Sequence, residues 1–312
     1  MDWKSHRIDA LLEQALEEDQ AALDATTHLT IDAGLQAAGS IIAREELVVA
    51  GLGAIPRFFE IYARLDRTAE ARTRFEVVSH PEIFDGVRAH AGQVLAVIRH
   101  NARVLLNCER VMLNLLQHLS GISTLTRKYA DAVQGTHARV LDTRKTVPGM
   151  RALEKYAVLC GGGTNHRIDL ASGILIKNNH IALGGGIAAV LKRALEQRKP
   201  GQRVQVEVRG THELEEALNH GAEAILLDNM SAGEVRRSVE RIKKEAGRWI
   251  PVEASGGIVL ENIRAYAETG VDFISVGALT HSARAADISM AIAAEGRQSS
   301  SRLGRTFEAY GL

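Results

Sequence analysis

Between Asp142 and Ile181 the chain reads DTRKTVPGMRALEKYAVLCGGGTNHRIDLASGILIKNNHI, and six side chains stand out in it: Arg144, Lys145, His166, Arg167, Lys177 and His180. They sit among three consecutive glycines and small polar residues. Arginine offers a planar fork that matches a carboxylate or phosphate, and lysine a compact point charge suited to phosphate. The ligand for such a group is small and polyanionic. Arg144 and Lys145 follow the apolar run ARVLD at 138–142, and Lys177 closes GILIK at 173–177. Cations at the ends of buried strands point into the space beyond them, where α/β enzymes build their sites. The alternative is a solvated charged surface.

Other strand ends add chemistry. RVQVEV (203–208) carries Glu207, and EAILLD (223–228) ends in Asp228. A lone carboxylate at the end of an apolar strand is costly to keep ionised and needs a partner. A divalent ion such as Mg²⁺ would serve, since it takes one or two carboxylates plus substrate phosphates; so would sugar hydroxyls or the nearby lysines, and a general-acid/base pair is the competing reading. Ser255, Gly256 and Gly257 end one run and Gly277 the next, with His281 just beyond. Small residues there let backbone N–H groups approach a phosphate, a recurrent use of the last strands of a barrel. His166, set among cations, is expected to be largely neutral and to act through hydrogen bonds. No histidine has the spacing of a zinc site.

These residues need elements to hold them. From residue 138 the chain alternates apolar run, loop and helix; the runs lie at 138–142, 173–177, 203–208, 223–228, 250–255 and 272–277. Such alternation marks βαβ units on a parallel sheet, here an incomplete, about seven-stranded α/β barrel of TIM type with one strand hard to see. Before it, helices at 8–22 and 55–66 mix irregularly with strands at 71–78 and 93–100, an α+β domain. Residues 40–50 read as paired strands and the acidic stretch 17–27 as a loop. A long helical pattern, 107–132, joins the two, with Arg110 near its start and Gly121 as a possible bend. The domains are expected at 1–118, joined by 284–312, and at 119–283.

The chain has 312 residues, and its 38 Lys and Arg balance 38 Asp and Glu. No global basic field exists to attract nucleic acid or anionic membrane, so anion binding must be local. The acidic N-terminal stretch is no signal peptide, and no apolar run is long enough to span a bilayer. The only cysteines, Cys108 and Cys160, lack metal-ligand spacing and fit a reducing compartment, with the cytoplasm as the expected location. Two functions fit: an enzyme joining an anionic small molecule to a phosphorylated sugar, or a non-catalytic barrel that binds a phosphorylated metabolite.

The motifs ERVMLNLLQHLSGIST, DTRKTVPGMRALEKYAV, GGGTNHR, LIKNNHI, ILLDNMS, VEASGGI and SVGALTHSA, running in order between about Ile8 and Met290, closely resemble the quinolinate phosphoribosyltransferases of NAD biosynthesis. The resemblance implies an open α/β sandwich at the N-terminus, a seven-stranded barrel, and at least a homodimer in which the partner's N-terminal domain completes the site. It implies quinolinate and phosphoribosyl pyrophosphate as substrates, Mg²⁺ as cofactor, and nicotinate mononucleotide, pyrophosphate and CO₂ as products. Arg110 resembles the arginine donated across the dimer. Arg144, His166 and Arg167 resemble ligands of the quinolinate carboxylates, and Lys145 and Lys177 the central lysines. Glu207 and Asp228 resemble the acids that hold ribose and magnesium, and Ser255, Gly256, Gly257, Gly277 and His281 the phosphate-binding turns. The chain departs from the family's usual pattern at Asn178 and Arg209, where acids are common, and at Leu23-Asp24, where Gly-Asp is usual. These departures keep open a paralogue of the same fold linked to molybdenum uptake.

Overall fold

The computed structural model describes residues 1–295; the Ser-rich tail, 298–312, lies outside the described residues. The chain divides into two compact units, one of residues 1–124 with the segment from Arg284, the other of Leu125–Ala283.

The first unit holds α1 (His6–Glu18), α2 (Ala25–Thr30), β1 (Gln36–Ala43), β2 (Leu47–Val48), α3 (Ile55–Leu65), β3 (Glu76–Val78), β4 (Arg88–Ala89), β5 (Val94–Asn101) and most of α4 (Ala102–Ala132). Helix α1 buries Ile8, Leu12 and Leu16, one stripe at helical spacing. The stretch read as a loop holds a short turn at Ala21–Leu23 and the start of α2 instead. Asp24 caps it, accepting from the Thr27 amide at 3.1 Å and the Thr27 hydroxyl at 2.5 Å. These bonds hold the Asp24 carboxyl below its ordinary range. The side-chain oxygen satisfies helix N–H groups that have no intrahelical partner, which offsets the weak propensity of ATTHLT.

Residues 40–50 do not form a hairpin. β1 lies between β5 and a last antiparallel strand from the returning chain, and β2 pairs with β4. The outer polar groups of β2 and its neighbours meet hydroxyls of α4: Ser123 donates to the Val48 carbonyl at 2.6 Å, Val48 N–H to Thr124 at 2.8 Å and Ala50 N–H to Ser120 at 3.1 Å. Side chains thereby replace a missing strand partner. Helix α4 continues through Gly121, where an added Cβ would lie 2.1 Å from the Arg284 carbonyl oxygen. The glycine admits the returning chain.

In the second unit strand and helix alternate: β6 (Arg139–Leu141), α5 (Arg151–Cys160), β7 (Ile174–Ile176), α6 (Asn178–Gly184), α7 (Ile187–Gln197), β8 (Val204–Val208), α8 (Thr211–Asn219), β9 (Ala224–Asp228), α9 (Ala232–Glu245), β10 (Val252–Ser255), α10 (Ile263–Ala267), β11 (Phe273–Ser275) and α11 (Ala278–His281). The returning strand of the first unit is β12 (Ile288–Ala294). The six barrel strands are parallel in the order β6-β11-β10-β9-β8-β7. A seventh position is reduced to one parallel bridge, Leu141 with Thr164. Arg167 then reaches across to the Gly173 carbonyl, just before β7, at 2.9 Å.

Two-residue alternation sorts the barrel side chains. Val204, Val206, Ile225, Leu227, Val252, Ala254 and Ile274 are buried on one parity. Gln205, Leu226, Asp228, Glu253, Ser255 and Ser275 share the other and line the interior cavities. Among the described residues no helix is long and apolar enough to cross a membrane.

Candidate active site

At the carboxyl ends of the barrel strands lies a cavity of about 650 Å³. Arg144, Lys145, His166, Arg167 and Lys177 line one part, and Asp228, Ser255, Gly256, Gly257, Gly277 and His281 another. Glu207 joins through Lys177, whose ammonium lies 2.5 Å from its carboxylate. Arg110 is exposed on α4 in the first unit and is not among the lining residues. His180 stays outside the lining too; its Nδ1 accepts the Lys177 N–H at 2.9 Å and fixes the start of α6.

Of the cations, Lys177 is paired with Glu207, while the two guanidiniums are compensated only in part. Arg144 Nε is buried without a hydrogen-bond partner. Burial and the nearby Arg144 both push the Arg167 guanidinium down, and Asp169 offsets this only in part. Two guanidiniums brought together in a partly desolvated wall favour an incoming dianion.

The glycine turns are tight for identifiable reasons. Gly256 adopts φ +92°, and a Cβ there would lie 2.2 Å from Asn229 Oδ1 and 2.8 Å from the Asn229 amide. Asn229 is itself left-handed at φ 56° and donates its N–H to the Ser255 carbonyl at 2.9 Å. At Gly277 a Cβ would lie 3.0 Å from His281 Nε2 and 3.1 Å from Lys145 Cδ. Lys145 is tied to the same turn, since Thr280 donates to its carbonyl at 2.7 Å.

Sequence reasoning missed Glu253. It is 3% exposed, lines the cavity, and faces His166 Nε2 at 3.2 Å. Burial pushes its carboxyl up, but hydrogen bonds from His166, Ser275 and Gln205 outweigh that and hold it below its ordinary range. The signal was available: Glu253 shares strand parity with Ser255. His166 Nδ1 in turn accepts the Arg167 N–H at 2.7 Å, which leaves Nε2 as the ring nitrogen that faces Glu253.

Behind this wall lies a buried ion pair, Lys155 and Asp142, at 2.5 Å. Burial pushes the Asp142 carboxyl up, opposed by Lys155 and by the His166 amide. That amide donates to Asp142 at 2.8 Å, while Lys155 donates to the His166 carbonyl at 3.0 Å.

Two family models match in tandem: the quinolinate phosphoribosyl transferase N-terminal domain over residues 24–120 and the C-terminal domain over 122–291. The chain belongs to the quinolinate phosphoribosyltransferase family. It is 42% identical over 280 residues to a nicotinate-nucleotide pyrophosphorylase [carboxylating] of Mycobacterium leprae, covering 89% of this chain and 95% of that protein. A probable nicotinate-nucleotide pyrophosphorylase [carboxylating] of Bacillus subtilis is 41% identical over 250 residues, covering 80% of this chain and 81% of that one. The crystal structure of NadC from Streptococcus pyogenes superposes with a TM-score of 0.85 at 36% identity, over 94% of this chain and 99% of that one.

For a quinolinate phosphoribosyltransferase the fit of a metal can be read from the carboxylates. Among the described residues no group of three or more His, Cys, Asp and Glu side chains could hold an ion. Glu207 is held by Lys177, while Asp228 lies 3.4 Å from Arg209 and accepts from Asn229 at 2.9 Å. This is no resident metal cage. It fits magnesium that keeps its water and arrives on substrate phosphates, which needs only one or two protein carboxylates.

Proposed function

We propose that this chain transfers phosphoribosyl from phosphoribosyl pyrophosphate to quinolinate with loss of CO₂, giving nicotinate mononucleotide and pyrophosphate for NAD biosynthesis. The observation that supports the reading is the pair of guanidiniums, Arg144 with its Nε unpartnered and Arg167 pushed down by it, in a cavity also lined by the glycine turns. Arginine forks match the two carboxylates of quinolinate and aim its ring nitrogen at the anomeric carbon, which is catalysis by orientation. Ser255, Gly256, Gly257, Gly277 and His281 take the phosphates, with Lys145 and Lys177 at the pyrophosphate end.

The ring nitrogen supplies the electron pair for the new bond to the anomeric carbon, and pyrophosphate leaves with the pair of the broken one. Positive charge grows on the ribose meanwhile, and the Asp228 carboxylate, with Glu207 beside it, stabilises that charge. Magnesium, when bound, supplies charge neutralisation on the pyrophosphate, with Asp228 and Glu207 as the residues that would hold it. The coupled ring nitrogen is cationic, so loss of CO₂ from the adjacent carbon leaves an electron pair that this charge stabilises until a proton arrives.

We assign Arg110, exposed on α4, to the site of a second subunit, making the active form at least a homodimer. Cys108 and Cys160 form no disulfide among the described residues, which supports the cytoplasm as the proposed location. No specific observation favours the paralogue linked to molybdenum uptake or the non-catalytic barrel.

Lys145→Ala and Lys177→Ala should each lower turnover by orders of magnitude with melting unchanged; near-normal rates in both would refute their roles. Subunits carrying Arg110→Ala mixed with subunits carrying Arg144→Ala should regain activity. No recovery despite proven subunit exchange would remove Arg110 from the site.

A further inference from the structure

We propose that the buried pair Lys155 and Asp142 is a positioning pair: it fixes the spacing between the Arg144 and Arg167 guanidiniums and thereby sets the preference for a vicinal dicarboxylate over a monocarboxylate. The inference rests on the functional reading above and deepens it. The pair lies behind the cavity wall. Asp142 is fully buried, Lys155 is 2% exposed, and neither is among the residues that line the cavity. It acts on a substrate only through other residues.

Those residues belong to the two segments that carry the guanidiniums. Asp142 follows β6 directly and precedes Arg144 by two positions. Its backbone N–H donates to the Thr164 carbonyl at 3.2 Å, and its carboxylate accepts from the His166 amide at 2.8 Å. Lys155, on α5, joins the carboxylate at 2.5 Å and donates to the His166 carbonyl at 3.0 Å. Asn165, with its amide turned so that nitrogen meets acceptors, bonds Asp142 at 2.6 Å and the Lys155 carbonyl at 2.9 Å. Residues 164–166 are thus gripped in turn, and Arg167 comes next. Helix α5 holds the Arg144 side as well, since Glu154 accepts the Val147 N–H at 3.2 Å. The segment before Arg167 meets the sheet at a single bridge, so no strand ladder fixes it. Without the pair, the spacing would rest chiefly on that bridge and on the Arg167 bond to the Gly173 carbonyl.

A buried ion pair adds little to stability, because desolvation cancels much of the attraction, and replacing both partners by neutral groups is often neutral for the fold. Its effect on position is separate. The carboxylates of quinolinate sit on adjacent ring carbons, so their separation is fixed, and two arginine forks engage both only when their own separation matches. A loosened pair of arginines still holds one carboxylate but loses the second.

The test measures quinolinate and nicotinate binding to the full-length protein by calorimetry, beside thermal melts. Nicotinate carries only one of the two carboxylates. In Asp142→Asn/Lys155→Met no charge is left buried alone, so melting should stay near wild type. Quinolinate affinity should fall on the order of 10- to 100-fold, the worth of one charged hydrogen-bonded contact, while nicotinate affinity stays within about threefold. Asn165 is exposed, and Asn165→Ala removes one grip on the segment without touching the core. It should weaken quinolinate by about three- to tenfold and leave nicotinate unchanged, and it decides the matter if the double variant does not fold. An unaltered ratio of the two affinities in the folded variants, or equal weakening of both ligands, would overturn the proposal. If the wild-type protein binds no quinolinate, the functional reading fails instead, so the two failures are distinguishable.

Discussion

Substituting alanine at Gly256 isolates the turn proposed to bind phosphate from the rest of the barrel. The residue sits at φ +92°, where a side chain is strained by about 1–2 kcal/mol. The new Cβ would also lie 2.2 Å from Asn229 Oδ1 and 2.8 Å from the Asn229 nitrogen, so Asn229 must move. Moving it endangers its 2.9 Å bonds to the Ser255 carbonyl and to Asp228, about 1 kcal/mol each. The sum is about 3–4 kcal/mol if both bonds are lost, divided between stability and transition-state binding. Gly257 provides the control: it has φ +64° but nothing within 4 Å of an added Cβ, so only the strain remains. Gly256→Ala should therefore lower kcat/KM for phosphoribosyl pyrophosphate by about 30-fold or more, and Gly257→Ala by less than about tenfold. Initial rates with quinolinate saturating, alongside thermal melts, separate the two contributions. Wild-type kinetics and melting in Gly256→Ala, or equal losses at both glycines, would refute the geometric argument.

Other substitutions probe the first unit. Asp24→Ala removes the cap of α2 and should cost about 1 kcal/mol in denaturant melts. Because Thr27 holds the Asp24 carboxyl below its ordinary value, this contribution is present above the unfolded pKa of 3.8 and disappears as pH falls through the folded one. Gly121→Ala would normally favour a helix interior by about 1 kcal/mol; here the Cβ would lie 2.1 Å from the Arg284 carbonyl oxygen, and a lowered melting temperature is expected. His100 is 2% exposed, and burial pushes its pKa down from 6.5 to about 4. The fold binds the neutral ring, so stability from this residue is full above pH 6.5 and declines as pH falls toward 4, by on the order of 3 kcal/mol. His100→Phe should flatten that part of the stability profile; an unchanged acid limb would show that another group controls it.

The barrel was legible because its strands announce themselves twice, as apolar runs and as turn-bounded segments of regular spacing. Each expected run contains an observed strand, and the chemistry-bearing strand ends meet at one cavity. Thr164 was not legible, since a single bridge leaves no periodicity to read. Glu253 was overlooked for a different reason. An acid inside VEAS resembles a strand residue of no special role until parity with Ser255 places it inside the barrel. In the first unit, ATTHLT lacks helical propensity and α2 depends on the Asp24 cap, while the pairing of β1 with β12 spans nearly the whole chain. Contacts of that range leave no local signature. The role of Gly121 was hidden likewise, because the atom it accommodates belongs to Arg284.

The most direct test of the central claim is release of labelled CO₂ from quinolinate carrying the label in its 2-carboxylate, with phosphoribosyl pyrophosphate and Mg²⁺ present and nicotinate as the control acceptor. The account predicts release that requires both the phosphoribosyl donor and the metal, matched by equal amounts of nicotinate mononucleotide, and no mononucleotide from nicotinate. Absence of release from folded, dimeric protein, or coupling to nicotinate instead, would contradict it.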